Sequence, residues 1–333
     1  MYFNAAVLKK KGKVIIDKLS LPKLKFGQSL VKIHYSSICH TQIQEIDGQR
    51  GKDNYLPHCL GHEGVGTVID KHNSVKKVKN LDSVCLSWIN SKGINSGGTF
   101  YLNSRGIKVN AGPVHTFSEY AVISENKIFK INRAEKKKVL LGCALPTAYN
   151  VIDDLKHLKI KSICIIGCGG LGISCVIASK DYKIKKIFAL DKNRSKLNYA
   201  KKKGANVTFD SLEEIKKKQI KFDAIIECTG QIEVLKQCFE FSKNFGGKII
   251  VIGNYPKGKF LNIDPWHIIQ GKALVGAWND TLNFDNKFKK FEKKINNKNL
   301  NFFFGNKTYK LTDINKAIND FKKGKIIRPL IKM

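Results

Sequence analysis

From residue 145 onward, short apolar runs rich in β-branched residues alternate with amphipathic stretches. The runs are SICIIG (162–167), IFALD (187–191), VTFD (207–210), DAIIECTG (223–230), GKIIVIG (247–253) and ALVGAW (273–278). Between them lie GLGISCVIASKDY, NRSKLNYAKKKG, LEEIKKKQ, IEVLKQCFEFSKN and DPWHIIQGK, which have helical period or helix-forming composition. Continuously apolar strands separated by helices signal a parallel sheet covered on both faces. The pattern predicts one doubly wound α/β domain over residues 145–283.

The first 144 residues follow a different rhythm. Short or alternating apolar runs (AAVLK, SLVKIHYSSI, GVGTVID, DSVCLSW, SEYAVIS, KIFKI) are broken by Gly, Asn and Ser. This is the pattern of a mostly β domain with long functional loops. From about residue 284 helical period returns in DINKAINDFKKGK, and the chain closes on the strand-like IIRPLIKM. That tail is expected to pack back on the N-terminal part, making one domain of residues 1–144 plus 284–333.

Length and composition sharpen this picture. A chain of 333 residues is long enough for two cores. It has no run of eighteen apolar residues, and its start, MYFNAAVLKKKGKVIID, lacks a secretory apolar core. A cytoplasmic protein with no membrane partner is expected. Nine cysteines, odd in number and scattered, several inside apolar runs, argue against a disulfide framework. The net charge of +33 invites a nucleic-acid reading. However, only five of the sixty basic residues are Arg (50, 105, 133, 194, 328), and lysine runs through every segment alongside Asn and Ile. That distribution follows from AT-rich coding, and no basic patch is interleaved with stacking aromatics, so no nucleic-acid partner is expected.

Two stretches carry chemistry. In SICIIGCGGLGIS, Gly167, Gly169 and Gly172 form GxGxxG directly after a strand and at the opening of a helix, with Gly170 and Leu171 completing the turn. The first glycine permits the tight turn, the second lets backbone amides reach a pyrophosphate, and the third allows close packing of helix on strand. Asp191 follows Gly172 by nineteen residues, at the end of the second strand, where a carboxylate can accept from a ribose diol. Its charge would repel a 2′-phosphate, which favours NAD over NADP, although Lys192 and Arg194 lie beside it.

The second stretch is LPHCLGHEGVG (56–66), which crowds His58, Cys59, His62 and Glu63 together. A catalytic zinc needs three ligands drawn from Cys, His and carboxylate, plus an open fourth position. Cys39, His62, Glu63 and Cys143 are candidates outside the glycine unit. On spacing alone, each is equally well a core or hydrogen-bonding residue.

Taken in order, CHTQ, LGHEGVGTV, GCALPTAYN, GCGGLG and ALD resemble the medium-chain, zinc-dependent alcohol dehydrogenases over nearly the whole chain. The resemblance implies a GroES-like, mostly β catalytic domain beside a Rossmann domain that binds NAD. It also implies one catalytic zinc held by Cys39, His62 and Cys143, with Glu63 close behind the metal. Two thiolates and an imidazole would leave the zinc a Lewis acid able to lower an alcohol's pKa, so that hydride can leave its carbon for the nicotinamide. Thr41 matches the hydroxyl that takes the alcohol proton. His40 and Arg328 match cations near the pyrophosphate, and Trp88 and Phe117 match aromatics lining the alcohol pocket, a core role for either remaining open. His58 and Cys59 have no counterpart role and are read as structural. A homodimer or homotetramer is implied.

Three departures stand out. Gln42 occupies a position where relatives commonly carry Asp behind a zinc ligand. Gln44 stands where some relatives place the histidine that ends a proton relay. The lobe that holds a structural zinc in many relatives needs four clustered cysteines, whereas the corresponding segment here has Cys85 alone, so no structural zinc is expected. The polar, glycine-rich stretch in its place leaves room for a hydrophilic alcohol such as a polyol or a sugar-derived hydroxyl. The expected activity is NAD-linked oxidation of a small-molecule alcohol. Its rivals are a zinc-free enone or quinone reductase of the same fold and a non-enzymatic nucleic-acid-binding protein.

Overall fold

A computed structural model describes residues 1–155, 157–158, 160–278 and 284–333. The chain forms two compact units, one of Met1–Cys143 with Asp280–Met333 and one of Ala144–Asn279. The expected end of the cofactor domain, at residue 283, lies outside the described residues. Among the described residues no helix is long and apolar enough to cross a membrane.

The first unit begins with ten strands: β1 (Tyr2–Lys10), β2 (Lys13–Ser20), β3 (Gln28–Ser37), β4 (His58–Cys59), β5 (Glu63–Lys71), β6 (Ser83–Ser87), β7 (Thr99–Asn103), β8 (Lys108–Ala111), β9 (Tyr120–Ser124) and β10 (Ile128–Lys130). A short helix, α1 (His40–Ile46), follows β3. Strands β1, β2, β7, β8 and β4 close into a barrel. Its interior is filled by Phe3, Val7, Leu19, Tyr101 and Val109. Buried within it, the Tyr101 hydroxyl lies 2.7 Å from His115 Nε2 and accepts from the Val122 amide. Burial pushes the His115 imidazole down to about 3, so it is a neutral hydrogen-bonding partner near neutral pH.

Part of the polar, glycine-rich stretch forms the β7–β8 hairpin, in which Tyr101, Asn103, Val109 and Ala111 alternate inward and complete the barrel wall.

The second unit alternates strands and helices. It opens with α2 (Ala144–Leu155), then β11 (Ser162–Ile166), α3 (Gly170–Asp181), β12 (Lys186–Leu190), α4 (Arg194–Lys203) and β13 (Val207–Phe209). There follow α5 (Leu212–Lys217), β14 (Ala224–Glu227), α6 (Ile232–Phe241), β15 (Lys248–Val251), α7 (Trp266–Ile269) and β16 (Ala273–Gly276). All six strands are parallel, in the order β13-β12-β11-β14-β15-β16. The order reverses direction between β11 and β14, the switch point where such sheets take nucleotides.

The chain then returns to the first unit. Helix α8 (Phe284–Asn296) buries Phe284, Phe288, Phe291 and Ile295, spaced as one helical face, and its Glu292 pairs with the buried Lys138 at 2.8 Å. After β17 (Thr308–Lys310) and α9 (Ile314–Lys322), the last strand β18 (Leu330–Lys332) pairs antiparallel with β3. This completes a seven-stranded sheet ordered β10-β6-β5-β3-β18-β17, with β9 also on β3.

Candidate metal centre and dinucleotide turn

Cys39, His62 and Cys143 are far apart in sequence, and the pairing of β3, β5 and β6 brings them together. Ser36 lies opposite Gly64 in the β3–β5 register, so the residues just beyond β3 and just before β5 meet at one end of the sheet. Cys39 caps α1 at that end, and His62 directly precedes β5. Ser87 lies opposite Glu63 across β5–β6, and its hydroxyl donates to the Gly142 carbonyl at 2.7 Å, which delivers Cys143. A side chain at Gly142 would stand 2.5 Å from the Leu86 carbonyl oxygen and 2.6 Å from Glu63 Cβ, so only glycine lets this segment approach.

One ligand atom from each of Cys39, His62 and Cys143 lies within 4.8 Å of the others. The chemistry of the three fits a zinc ion. His62 Nδ1 sits 2.5 Å from Gln42 Nε2, while Nε2 is buried without a hydrogen bond and, once Nδ1 carries the ring proton, is the nitrogen free to hold a metal. The two thiols hold each other in opposite states. Cys39 is held well below its ordinary value, first by a hydrogen bond from Cys143 and then by Arg328 and His62, against the effect of burial. Cys143 is correspondingly pushed up, first by that bond and then by burial. Two soft thiol donors and an imidazole, each half-buried, suit a zinc that keeps a position open.

The surroundings of the cluster are charged and buried. Glu63 is fully buried; its Oε1 accepts from the Ser37 hydroxyl at 2.5 Å and its Oε2 from Arg328 Nη2 at 3.2 Å. Burial pushes the Glu63 carboxyl up, against the pull of Arg328. Burial works against the Arg328 charge, but Glu63 and the two thiol groups outweigh it and keep the guanidinium protonated. Arg328 also donates to the Ile38 carbonyl at 3.4 Å. Expected as a phosphate contact, Arg328 is found as the counter-ion of Glu63 behind the metal ligands.

Gln42 shows what its departure from Asp means physically. Its Oε1 accepts from the Cys39 amide at 3.0 Å while its Nε2 faces His62 Nδ1, a pairing that puts the ring proton on Nε2; holding a metal through Nε2 needs the amide oxygen turned to His62 instead. A carboxylate could accept from both at once, whereas an amide has one oxygen. Gln44 is buried on the same helix. Thr41 is half-buried, with its hydroxyl 3.7 Å from Cys39 Sγ. His40 is exposed, its ring set edge-on to Phe321.

Of the two aromatics expected at an alcohol pocket, Trp88 is half-buried at the end of β6, its carbonyl accepting from Lys127 Nζ at 2.5 Å. Phe117 is corrected: it has no exposed surface and packs in the core with Ala6, Leu8, Ile38 and Leu60. His58 joins its Nε2 to Asp53 at 2.8 Å and its Nδ1 to the Cys59 carbonyl, while Cys59 sits in the barrel core.

In the second unit the glycine turn is as tight as its spacing requires. A Cβ on Gly172 would stand 1.8 Å from the Gly167 carbonyl oxygen, whereas one on Gly169 would meet nothing within 4 Å. Open space thus lies before the N-terminus of α3, whose first turn has no acidic residue, and this suits an anion. Gly170 and Leu171 are the first residues of that helix. Asp191 accepts from the Cys168 amide in the turn and from the Asn193 amide, each at 2.8 Å, while Asn193 itself caps α4. The aspartate is therefore not the cap of the helix that follows it. Its two oxygens keep lone pairs for a ribose diol.

Comparison with known proteins agrees with both halves of this description. The family model described as "Zinc-binding dehydrogenase" matches residues 170–297, and that described as "Alcohol dehydrogenase GroES-like domain" matches residues 25–133. The chain is 28% identical to an S-(hydroxymethyl)glutathione dehydrogenase of Photobacterium damsela subsp. piscicida over 298 residues, 79% of this chain and 80% of that protein. It is 27% identical to the Synechocystis protein of the same name over 369 aligned positions, 99% of this chain and 100% of that protein. The crystal structure of benzyl alcohol dehydrogenase from Acinetobacter calcoaceticus superposes with a TM-score of 0.83 at 25% identity, covering 100% of this chain and 99% of that one.

Proposed function

This chain belongs to the medium-chain family of zinc-type alcohol dehydrogenases, oxidoreductases acting on CH–OH, and from that premise we propose that it oxidises a small alcohol with NAD, using one zinc per chain. The observation that carries this reading is the convergence of Cys39, His62 and Cys143, with His62 Nε2 buried and without a hydrogen bond. When bound there, zinc supplies Lewis acidity toward an alcohol oxygen, and the nicotinamide supplies the hydride acceptor.

The chain's own groups do the rest. Thr41 offers a hydroxyl beside Cys39 that accepts the alcohol proton as it passes its own on toward the coenzyme ribose and water. Glu63 and Arg328, locked to each other and to Ser37, hold the electrostatics behind the ligands constant. Asp191 holds the adenosine ribose and disfavours a 2′-phosphate. Cys85, alone in the segment that carries four cysteines in many relatives, is a buried strand residue, and a single zinc is the reading.

For the substrate, the names of the relatives point to primary alcohols such as hydroxymethyl thiol adducts and benzyl alcohol. A polyol or sugar-derived hydroxyl is the second reading, resting on the polar, glycine-rich residues 90–98 ahead of the β7–β8 hairpin. A panel of hydroxymethylglutathione, benzyl alcohol, short secondary alcohols and polyols, followed by NADH absorbance, tests the assignment. Alcohol-dependent NADH formation, abolished by chelation and at least about tenfold weaker with NADP, is expected. Activity insensitive to chelation overturns the metal reading, and preference for NADP overturns that of Asp191.

The homo-oligomer is read from β16. It is an edge of the six-stranded sheet, with Leu274 38% and Val275 42% exposed and Trp278 beyond it 80% exposed. An apolar edge strand of this kind is a template for pairing with a second copy. Sedimentation is expected to give a dimer or tetramer, and Val275→Lys a smaller species; a wild-type monomer contradicts the reading.

A further inference from the structure

Glu227 is a buried carboxylate that the proposed reaction does not use. It is the last residue of β14, has no exposed surface, and among the described residues pairs with no cation. Four donors reach it instead. Oε1 accepts from the Thr229 amide at 2.6 Å and from the Thr229 hydroxyl, and Oε2 accepts from the Gly230 amide at 3.2 Å and the Tyr255 hydroxyl at 2.5 Å. Burial and this carboxylate push the Tyr255 hydroxyl up, so it remains a donor.

These donors lie on two loops, the one after β14 and the one after β15, and the loops touch. A Cβ on Gly230 would stand 2.1 Å from the Asn254 carbonyl oxygen. One on Gly253 would stand 2.4 Å from the Gly230 amide and 2.6 Å from Glu227 Oε2. The first loop also reaches the glycine turn, since Thr229 Cγ2 lies 2.8 Å from where a Gly167 Cβ would be. The carboxylate is thus the common anchor of the loops at the carboxyl ends of β14 and β15, braced against the turn after β11.

The sheet order gives this anchor a role. Asp191, at the end of β12, marks the half that holds adenosine, and β14 and β15 lie across the switch point in the half that holds the second nucleotide. We infer that Glu227 and Tyr255 are positioning residues that set the wall against which the nicotinamide half of the coenzyme lies. This rests on the dinucleotide reading of the second unit. A carboxylate suits the task because all four partners donate. An amide would turn its NH2 toward two of them.

The test measures two ligands on the same variants. NADH binding is followed by its fluorescence, and binding of AMP, which carries the adenosine half alone, by calorimetry. Tyr255→Phe is expected to weaken NADH about tenfold, and Glu227→Gln about a hundredfold, as expected for hydrogen bonds to a charged group, with AMP affinity changed less than about twofold. Equal losses for both ligands make Glu227 a general structural residue and overturn the inference, as does unchanged NADH binding in both variants. Tyr255→Phe removes one hydroxyl and keeps the test open if Glu227→Gln does not fold. If the wild type binds NADPH in preference, the NAD reading fails and the comparison proceeds with NADPH. If it binds neither coenzyme nor AMP, the dinucleotide reading fails.

Discussion

Replacing Cys143 by serine is expected to reduce alcohol oxidation by about three orders of magnitude or more, the rate equivalent of the several kcal/mol a Lewis acid contributes. Serine keeps the size of the side chain but is a hard, weakly acidic donor in place of a soft one, so zinc is expected to leave with the activity. NADH binding is expected to stay within about twofold, because the residues assigned to the coenzyme turn belong to the other unit of the chain. Steady-state rates, metal content and NADH fluorescence on one preparation check all three. Loss of NADH binding along with activity would mean that Cys143 serves the fold.

Arg328→Met has the second large effect. Glu63 is fully buried, and Arg328 is 3% exposed. Removing the cation strands a carboxylate whose remaining side-chain hydrogen bond among the described residues is from the Ser37 hydroxyl. A cost of about 3–5 kcal/mol is expected in the denaturant unfolding of the first unit. The double replacement Glu63→Gln with Arg328→Met removes both charges and is expected to recover most of that loss. Additive losses in this cycle would contradict the pairing. The same cycle reads metal affinity, since Arg328 also stabilises the Cys39 thiolate.

The second unit was legible in the sequence because it is written in a local code. The central strands β11 and β14 are buried along their whole length and read as short apolar runs, and Gly172 of the turn sits where contact with the Gly167 carbonyl leaves no other choice. The six runs from SICIIG to ALVGAW correspond to β11–β16. In the first unit β2, β4, β7, β8 and β17 passed unrecognised. KVIIDKLS is half exposed, and TFYLN and KVNA bury only alternate residues, so neither the density nor the length of apolar positions marks them.

The metal ligands were legible only by likeness. Twenty-three residues separate Cys39 from His62 and eighty-one separate His62 from Cys143, so no short-range period links them; the β3–β5–β6 register does. What surrounds them was not visible. Gly142 had a trace in the run LLGC, but its need for a bare Cα depends on Leu86 and Glu63, which arrive from other strands. Ser37 and the Glu63 side of Arg328 left no trace, because a buried ion pair between residues 265 positions apart is a tertiary event. Phe117 matches the pocket by likeness with a core role left open, and it packs in the core.

The central claim is that Cys39, His62 and Cys143 hold one catalytic zinc, and metal content tests it most directly. Protein purified without chelator and measured by plasma emission is expected to carry about one equivalent of zinc per chain, consistent with a single three-ligand catalytic site, and Cys143→Ser close to none. Less than about half an equivalent in the wild type, or an undiminished content in Cys143→Ser, would contradict the account.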